Sequence, residues 1–117
     1  MMMDLKMQIP KVDLELDPDW ILEINEFYQI NPKYGDASTC KPYLLDQILK
    51  MNNGQFYVEL GWFPKGNFQN GLYHLRIREG SYEGVIFSQV RTPDQEEVLN
   101  ALQLTLKQLN RMRAFLK

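Results

Sequence analysis

The chain has 117 residues, 44% of them hydrophobic and 24% charged, which suits one domain with its own core and excludes a disordered or fibrous chain. A net charge of −2 supplies no overall electrostatic drive toward nucleic acid or an anionic membrane. The single cysteine, Cys40, excludes an internal disulfide, and no apolar run reaches the roughly 20 residues a membrane-spanning helix needs. The start, Met1-Met2-Met3-Asp4-Leu5-Lys6, lacks the basic end and apolar stretch of a signal peptide, so the expected compartment is the cytoplasm.

The charge is unevenly spread. Residues 1–53 carry nine acids and five bases, net −4, and residues 54–117 carry six acids and eight bases, net +2. The acids concentrate at Asp13, Glu15, Asp17, Asp19, Glu23 and Glu26. Such a run is either an ordinary solvated surface or a patch that meets a basic partner.

Along Lys11 to Leu16 the pattern alternates, with Val12, Leu14 and Leu16 on one face, which predicts a half-buried strand with Pro10 favouring an edge. Asp17 and Pro18 suit a helix start, and Trp20, Ile21, Ile24, Phe27 and Tyr28 share one side of a helix that Asn31-Pro32 stops. Lys33 to Cys40 reads as a loop. A second helix is expected from Pro42 through Leu44, Leu45, Ile48 and Leu49, ended by Asn52-Asn53-Gly54.

The sheet signal is clearer. Phe56 to Phe63 places Phe56, Val58, Leu60 and Trp62 on one face and Tyr57, Glu59 and Phe63 on the other. A turn-rich loop, Pro64 to Gly71, leads to Leu72–Arg78, with Tyr73, Leu75 and Ile77 inward and His74, Arg76 and Arg78 outward. After Glu79-Gly80-Ser81, Tyr82 to Val90 carries apolar groups on both faces, the pattern of a central or doubly covered strand. Thr92-Pro93-Asp94-Gln95 has a capping-box pattern with Thr92 as the cap. Behind it Val98, Leu99, Leu102, Leu106, Leu109, Met112 and Leu116 form an apolar stripe. Asp94, Glu96 and Glu97 lie at the start of this helix and Arg111, Arg113 and Lys117 near its end, matching its dipole. The expected fold is a single α+β domain over 1–117: an antiparallel sheet of about four strands, two or three helices, and a long C-terminal helix.

Chemistry finds little footing. One histidine and one cysteine do not make a zinc site, the acids lack calcium-loop spacing, and the glycines form no phosphate-binding motif, so no metal or cofactor is expected. Cys40 has no histidine to activate it. His74 with Arg76 and Glu59 would serve a small sheet-face ribonuclease, although the mixed charge suits phosphate poorly. The aromatics around the hairpin first suit a core role, but Trp62, Phe63 and Phe68 fall at a loop where burial is difficult, and exposed aromatics beside arginine are what interface centres are made of.

With its acidic Asp13-Leu14-Glu15-Leu16-Asp17-Pro18-Asp19 stretch, and Gly84-Val85-Ile86-Phe87 leading into the Thr92 helix, the whole chain resembles in size and layout the immunity proteins of bacterial contact-dependent inhibition and related polymorphic toxin systems. No residue-level motif carries the resemblance. It implies neutralisation of a cognate toxin domain by covering its active site or a substrate-binding surface. With the composition above, the expectation is a non-enzymatic cytoplasmic protein without nucleic acid or membrane as partner, its oligomeric state open with a monomer favoured. The candidate contact residues are Asp13, Glu15, Asp17, Asp19, Glu23, Trp62, Phe63, Phe68, His74 and Arg76. Two alternatives stand beside this: a dimeric secretion chaperone, with Leu102, Leu106, Leu109, Met112 and Leu116 as its dimer face, and the His74 ribonuclease.

Overall fold

A computed structural model describes residues 9–116, with side chains through Arg111. Five strands form one antiparallel meander: β1 (Ile21–Asn25), β2 (Leu49–Asn52), β3 (Phe56–Phe63), β4 (Leu72–Glu79) and β5 (Val85–Thr92), in that spatial order. A one-turn helix α1 (Ala37–Cys40) and a 3₁₀ turn at Lys41–Tyr43 lie between β1 and β2, and the long helix α2 (Gln95–Leu116) closes the chain. The α+β class stands, with five strands instead of about four.

The inner face of β3 and β4 carries Phe56, Val58, Leu60 and Trp62 with Tyr73, Leu75 and Ile77, all buried as the alternation predicts. α2 lies over this face and contacts β4 and β5. Val98, Leu102, Leu106 and Leu109 are buried, while Met112 and Leu116 lie beyond the described side chains. A triad of rings anchors the layer: Tyr73 meets Trp62 edge-on at 5.0 Å and Phe27 at 6.3 Å.

The N-terminal half departs from expectation. The Asp17 segment makes a turn, with Trp20 N–H donating to the Asp17 carbonyl at 3.1 Å, and Ile21 then opens β1 instead of continuing a helix. Pairing with β2 decides this: the helical spacing of Trp20, Ile24 and Phe27 competes with the β preference of Ile21 and Ile24, and the ladder prevails. The second expected helix is likewise absent. Ile48 N–H donates to the Leu60 carbonyl and Trp62 N–H to the Leu45 carbonyl, so the run from Leu45 bends alongside β3 and enters the sheet at Leu49. Asn52-Asn53-Gly54 is then a hairpin turn and not a helix stop. Gly54 adopts φ +86°, and the Asn53 side chain accepts from the N–H groups of Gln55 and Phe56. The expected loop before Cys40 contains α1, with Asp36 accepting from Thr39 N–H.

Lys11–Leu16 keeps the expected alternation, with Val12 buried and Leu14 and Leu16 half-buried, but it joins no strand; its one bridge is Lys11 to Tyr28. It forms an extended strap. β5 starts at Val85, and Tyr82 belongs to the preceding turn. β5 pairs only with β4, which makes it an edge, with Val85 79% exposed and Ile86 and Phe87 also open. That corrects the central-strand expectation: the apolar groups on its second side reach the rim of the sheet, where Phe87 packs edge-on against Phe56 at 5.3 Å and Val85 stays open.

The start of α2 is capped differently from a capping box. Thr92 Oγ1 accepts from Asp94 N–H, and Asp94 Oδ1 accepts from Glu96 N–H. Gln95 receives its cap from Asn31, whose Oδ1 accepts its N–H at 3.0 Å. The Gln95 amide turns inward and donates to the carbonyls of Tyr28 and Ile30 and to the Tyr73 hydroxyl. This buried glutamine ties the helix start to the segment after β1, and the hydroxyl it meets is pushed up to about 12 chiefly by burial.

Candidate functional site: the open sheet face

Residues that alternate with the core positions form the outer face. Register places Lys50, Glu59, Arg76 and Gln89 in one row across β2 to β5, His74 beside Gly61 and Arg91 in the next, and Asn52, Tyr57 and Arg78 in another. Glu23, at a register shift in β1, joins this face by accepting from Asn52 Nδ2 at 2.8 Å. Lys50, Arg76, Arg78 and Arg91 thus face two carboxylates, Glu23 and Glu59.

At one end of this face Tyr82 folds back from the turn before β5. Its hydroxyl donates to Glu23, its ring meets Tyr57 edge-on at 4.8 Å, and the Lys50 ammonium lies 4.4 Å from the ring centre. The Tyr82 hydrogen bond holds the Glu23 carboxyl below its ordinary range, with Asn52 adding to the effect. Burial and the bond to Glu23 push the phenol upward.

At the other end, Asp46, Lys50, Glu59, Phe63, His74 and Arg76 are among the groups that line a shallow cavity of about 50 Å³. Gly61 is required beneath it: a Cβ there would lie 2.1 Å from the Asp46 carbonyl oxygen. The Phe63 ring lies 5.1 Å from the imidazole of His74. His74 Nδ1 is buried with no hydrogen-bond partner. Burial first, then the charges of Arg91 and Arg76, lower the His74 pKa and favour the neutral ring. With its amide oriented to satisfy both groups, the Gln89 oxygen accepts from Arg91 Nε at 3.1 Å and Nη2 at 2.9 Å.

The candidate residues therefore divide. His74, Arg76, Glu23 and Phe63 share the outer face. Asp13, Glu15, Asp17 and Asp19 are exposed on the strap and the turn after it, on the helix side of the sheet. There Glu15 and Asp17, with Lys107 and Asn110 of α2, help line a cleft of about 390 Å³. Trp62 is corrected outright. It is 0% exposed and its Nε1–H donates to the Asn67 carbonyl, so the ring is core. It sits at an inward register position of β3 before the loop begins. Phe68 is half-buried against the same core, and Phe63 alone of the three is exposed. Tyr82, Lys50 and Arg91 were missed: Lys50 falls in an expected helix, Arg91 past the expected end of its strand and Tyr82 in a turn read as strand, and their meeting depends on strand order.

Among the described residues no group of three or more His, Cys, Asp or Glu side chains is placed to hold a metal ion, and no helix is long and apolar enough to cross a membrane. Cys40 is fully buried, and burial, with Asp36 nearby, raises its thiol pKa. Comparison with protein-family models, curated proteins and solved structures finds no match for the chain.

Proposed function

We propose that the chain is a non-catalytic binding protein that acts as a monomer in the bacterial cytoplasm, neutralising a cognate toxin domain by docking on it. The observation that carries this reading is the open outer face, a broad polar surface on a sheet whose other side is spent on the core. Mixed charge with half-buried aromatic groups at both ends suits a protein surface, where complementary potentials set register and partner choice. Against the chaperone alternative stands the burial of Leu102, Leu106 and Leu109 of α2 in the core beneath the helix, which leaves them closed to a second copy. The test is co-expression with each product of the genes that neighbour this one, scored for toxicity and rescue. Restored growth and one-to-one co-purification support the reading, and undiminished killing with no complex defeats it.

One observation favours a second reading, a ribonuclease: His74, Arg76 and Glu59 line a single cavity. RNA cleavage by this route needs an acid as well as a base, and the lowered pKa of His74 makes it a poor acid at neutral pH. RNA cut by the purified chain and left intact by His74→Ala would establish this reading in place of the first.

A further inference from the structure

We infer that the corner of the outer face around Arg76, Arg91 and His74 receives carboxylate side chains from an acidic segment of a protein partner. The inference rests on the binding-protein reading and names the chemistry of what is bound. It also reverses the expectation that the acidic run of this chain is the contact surface.

Arg76 and Arg91 stand on neighbouring strands of one face, Arg91 opposite His74 and Arg76 two residues further along β4. Among the described residues the ion pairs are Lys33–Asp94 and Lys65–Asp46, so neither guanidinium has a carboxylate within ion-pair distance. Glu59 is the register partner of Arg76 and still forms no such pair. Gln89 holds Arg91 by its Nε and one terminal nitrogen, which orders the fork and leaves its other terminal nitrogen available. A guanidinium fork matches a carboxylate in two parallel bonds, and ordering the fork beforehand lowers the entropy lost on contact.

The pattern favours protein over nucleic acid. Glu59 lies in register between Lys50 and Arg76, and Asp46 and Glu23 flank the face, so the bases form no continuous track for a phosphate backbone. A peptide with spaced carboxylates can place its charges at the corner and avoid Glu59.

Proton linkage follows. The charged and titratable groups around His74 are Arg76 on its own strand, Arg91 on β5, Glu59 on β3, Lys50 on β2 and Asp46 in the preceding bend. A carboxylate bound between the arginines offsets the two charges that disfavour imidazolium. His74 then takes up a proton more readily in the complex, and binding strengthens as pH falls.

The test is a nuclear magnetic resonance titration with octaglutamate, run beside an octauridylate. Saturable shifts are expected at the Arg76 and Arg91 side-chain N–H groups and at His74. Affinity should fall about tenfold in the Arg76→Gln, Arg91→Gln double variant and should rise between about pH 7.5 and about pH 6, a rise absent in His74→Gln. Any of three results overturns the inference: no saturable shift, equal shifts at Lys33 and Lys107 on the rest of the surface, or tighter binding of octauridylate. Self-association that the double variant abolishes also overturns it, by making a second copy the occupant. If octaglutamate fails while the toxin domain is still neutralised, only the carboxylate chemistry is lost. Failure of neutralisation with octaglutamate binding intact removes the toxin instead.

Discussion

The inner and outer faces of one sheet alternate along the same three strands, β3 to β5, yet they behave as different materials. Inward positions of β3 and β4 pack with α2 and the strap in one buried cluster. Outward positions are joined in small clusters, Glu23–Tyr82–Asn52 at one end and Gln89–Arg91 near the other, with open ground between. Stability is therefore concentrated on one face, and the proposed docking surface lies on the other. Strand order serves both, since the same register that stacks Leu60 on Leu75 sets Glu59 beside Arg76.

The sharpest way to break this division is Trp62→Ala. It empties a fully buried site beside Tyr73 and removes one of two donors to the Asn67 carbonyl, which keeps the Gly71 N–H, at an expected cost of about 3–5 kcal/mol in urea unfolding. A loss below about 1 kcal/mol would mean the ring is not core. Gly61→Ala probes the one outward position that behaves like an inward one. The added carbon must displace the Asp46 backbone, so roughly 1–3 kcal/mol should be lost in a thermal melt, together with the shape of the cavity.

Asn31→Ala, which removes the cap on Gln95 and the bond to Asp94, should cost about 1 kcal/mol. Hydrogen exchange should quicken first in the opening turn of α2; unchanged exchange there would shift the cap to Thr92.

His74 supplies a pH test. Its folded pKa lies below the ordinary 6.5, so the unfolded chain binds the proton more tightly. Its contribution to stability is complete above that ordinary value and is lost as pH falls from there toward the lowered folded pKa. Wild type should therefore lose more stability than His74→Gln when the pH drops below about 6.5. Parallel curves would show that the ring is as solvated in the fold as in the unfolded chain. The smallest effect is expected for Arg76→Gln, within about 0.5 kcal/mol by chemical denaturation, because no carboxylate pairs with it in the free protein. A larger loss would make Arg76 structural and blur the two faces.

Legibility followed the same division. β3, β4 and the stripe of α2 were readable because a long, regular period leaves little choice of conformation, and the core assignments of Val58, Leu75, Ile77 and Leu102 follow from it. Short apolar runs were not. Trp20 to Tyr28 and Leu44 to Leu49 fit a helix turn and a strand equally, and Asn53-Gly54 suits either a helix end or a hairpin. Of the site, the outward direction of His74, Arg76 and Glu59 was visible in the alternation, and so was the inward direction of Trp62, against which its closeness to the loop residues set a contact role.

By itself the amino-acid order determined which side chains on β3 and β4 point together and where the last helix begins, since those depend on contacts a few residues apart. Tertiary structure alone decided that Ile21–Asn25 and Leu49–Asn52 are strands, that Val85–Thr92 is an edge, and that Tyr82 reaches Glu23 59 positions away. Those outcomes depend on which ladder is available to pair with, and a ladder forms only once distant segments have met.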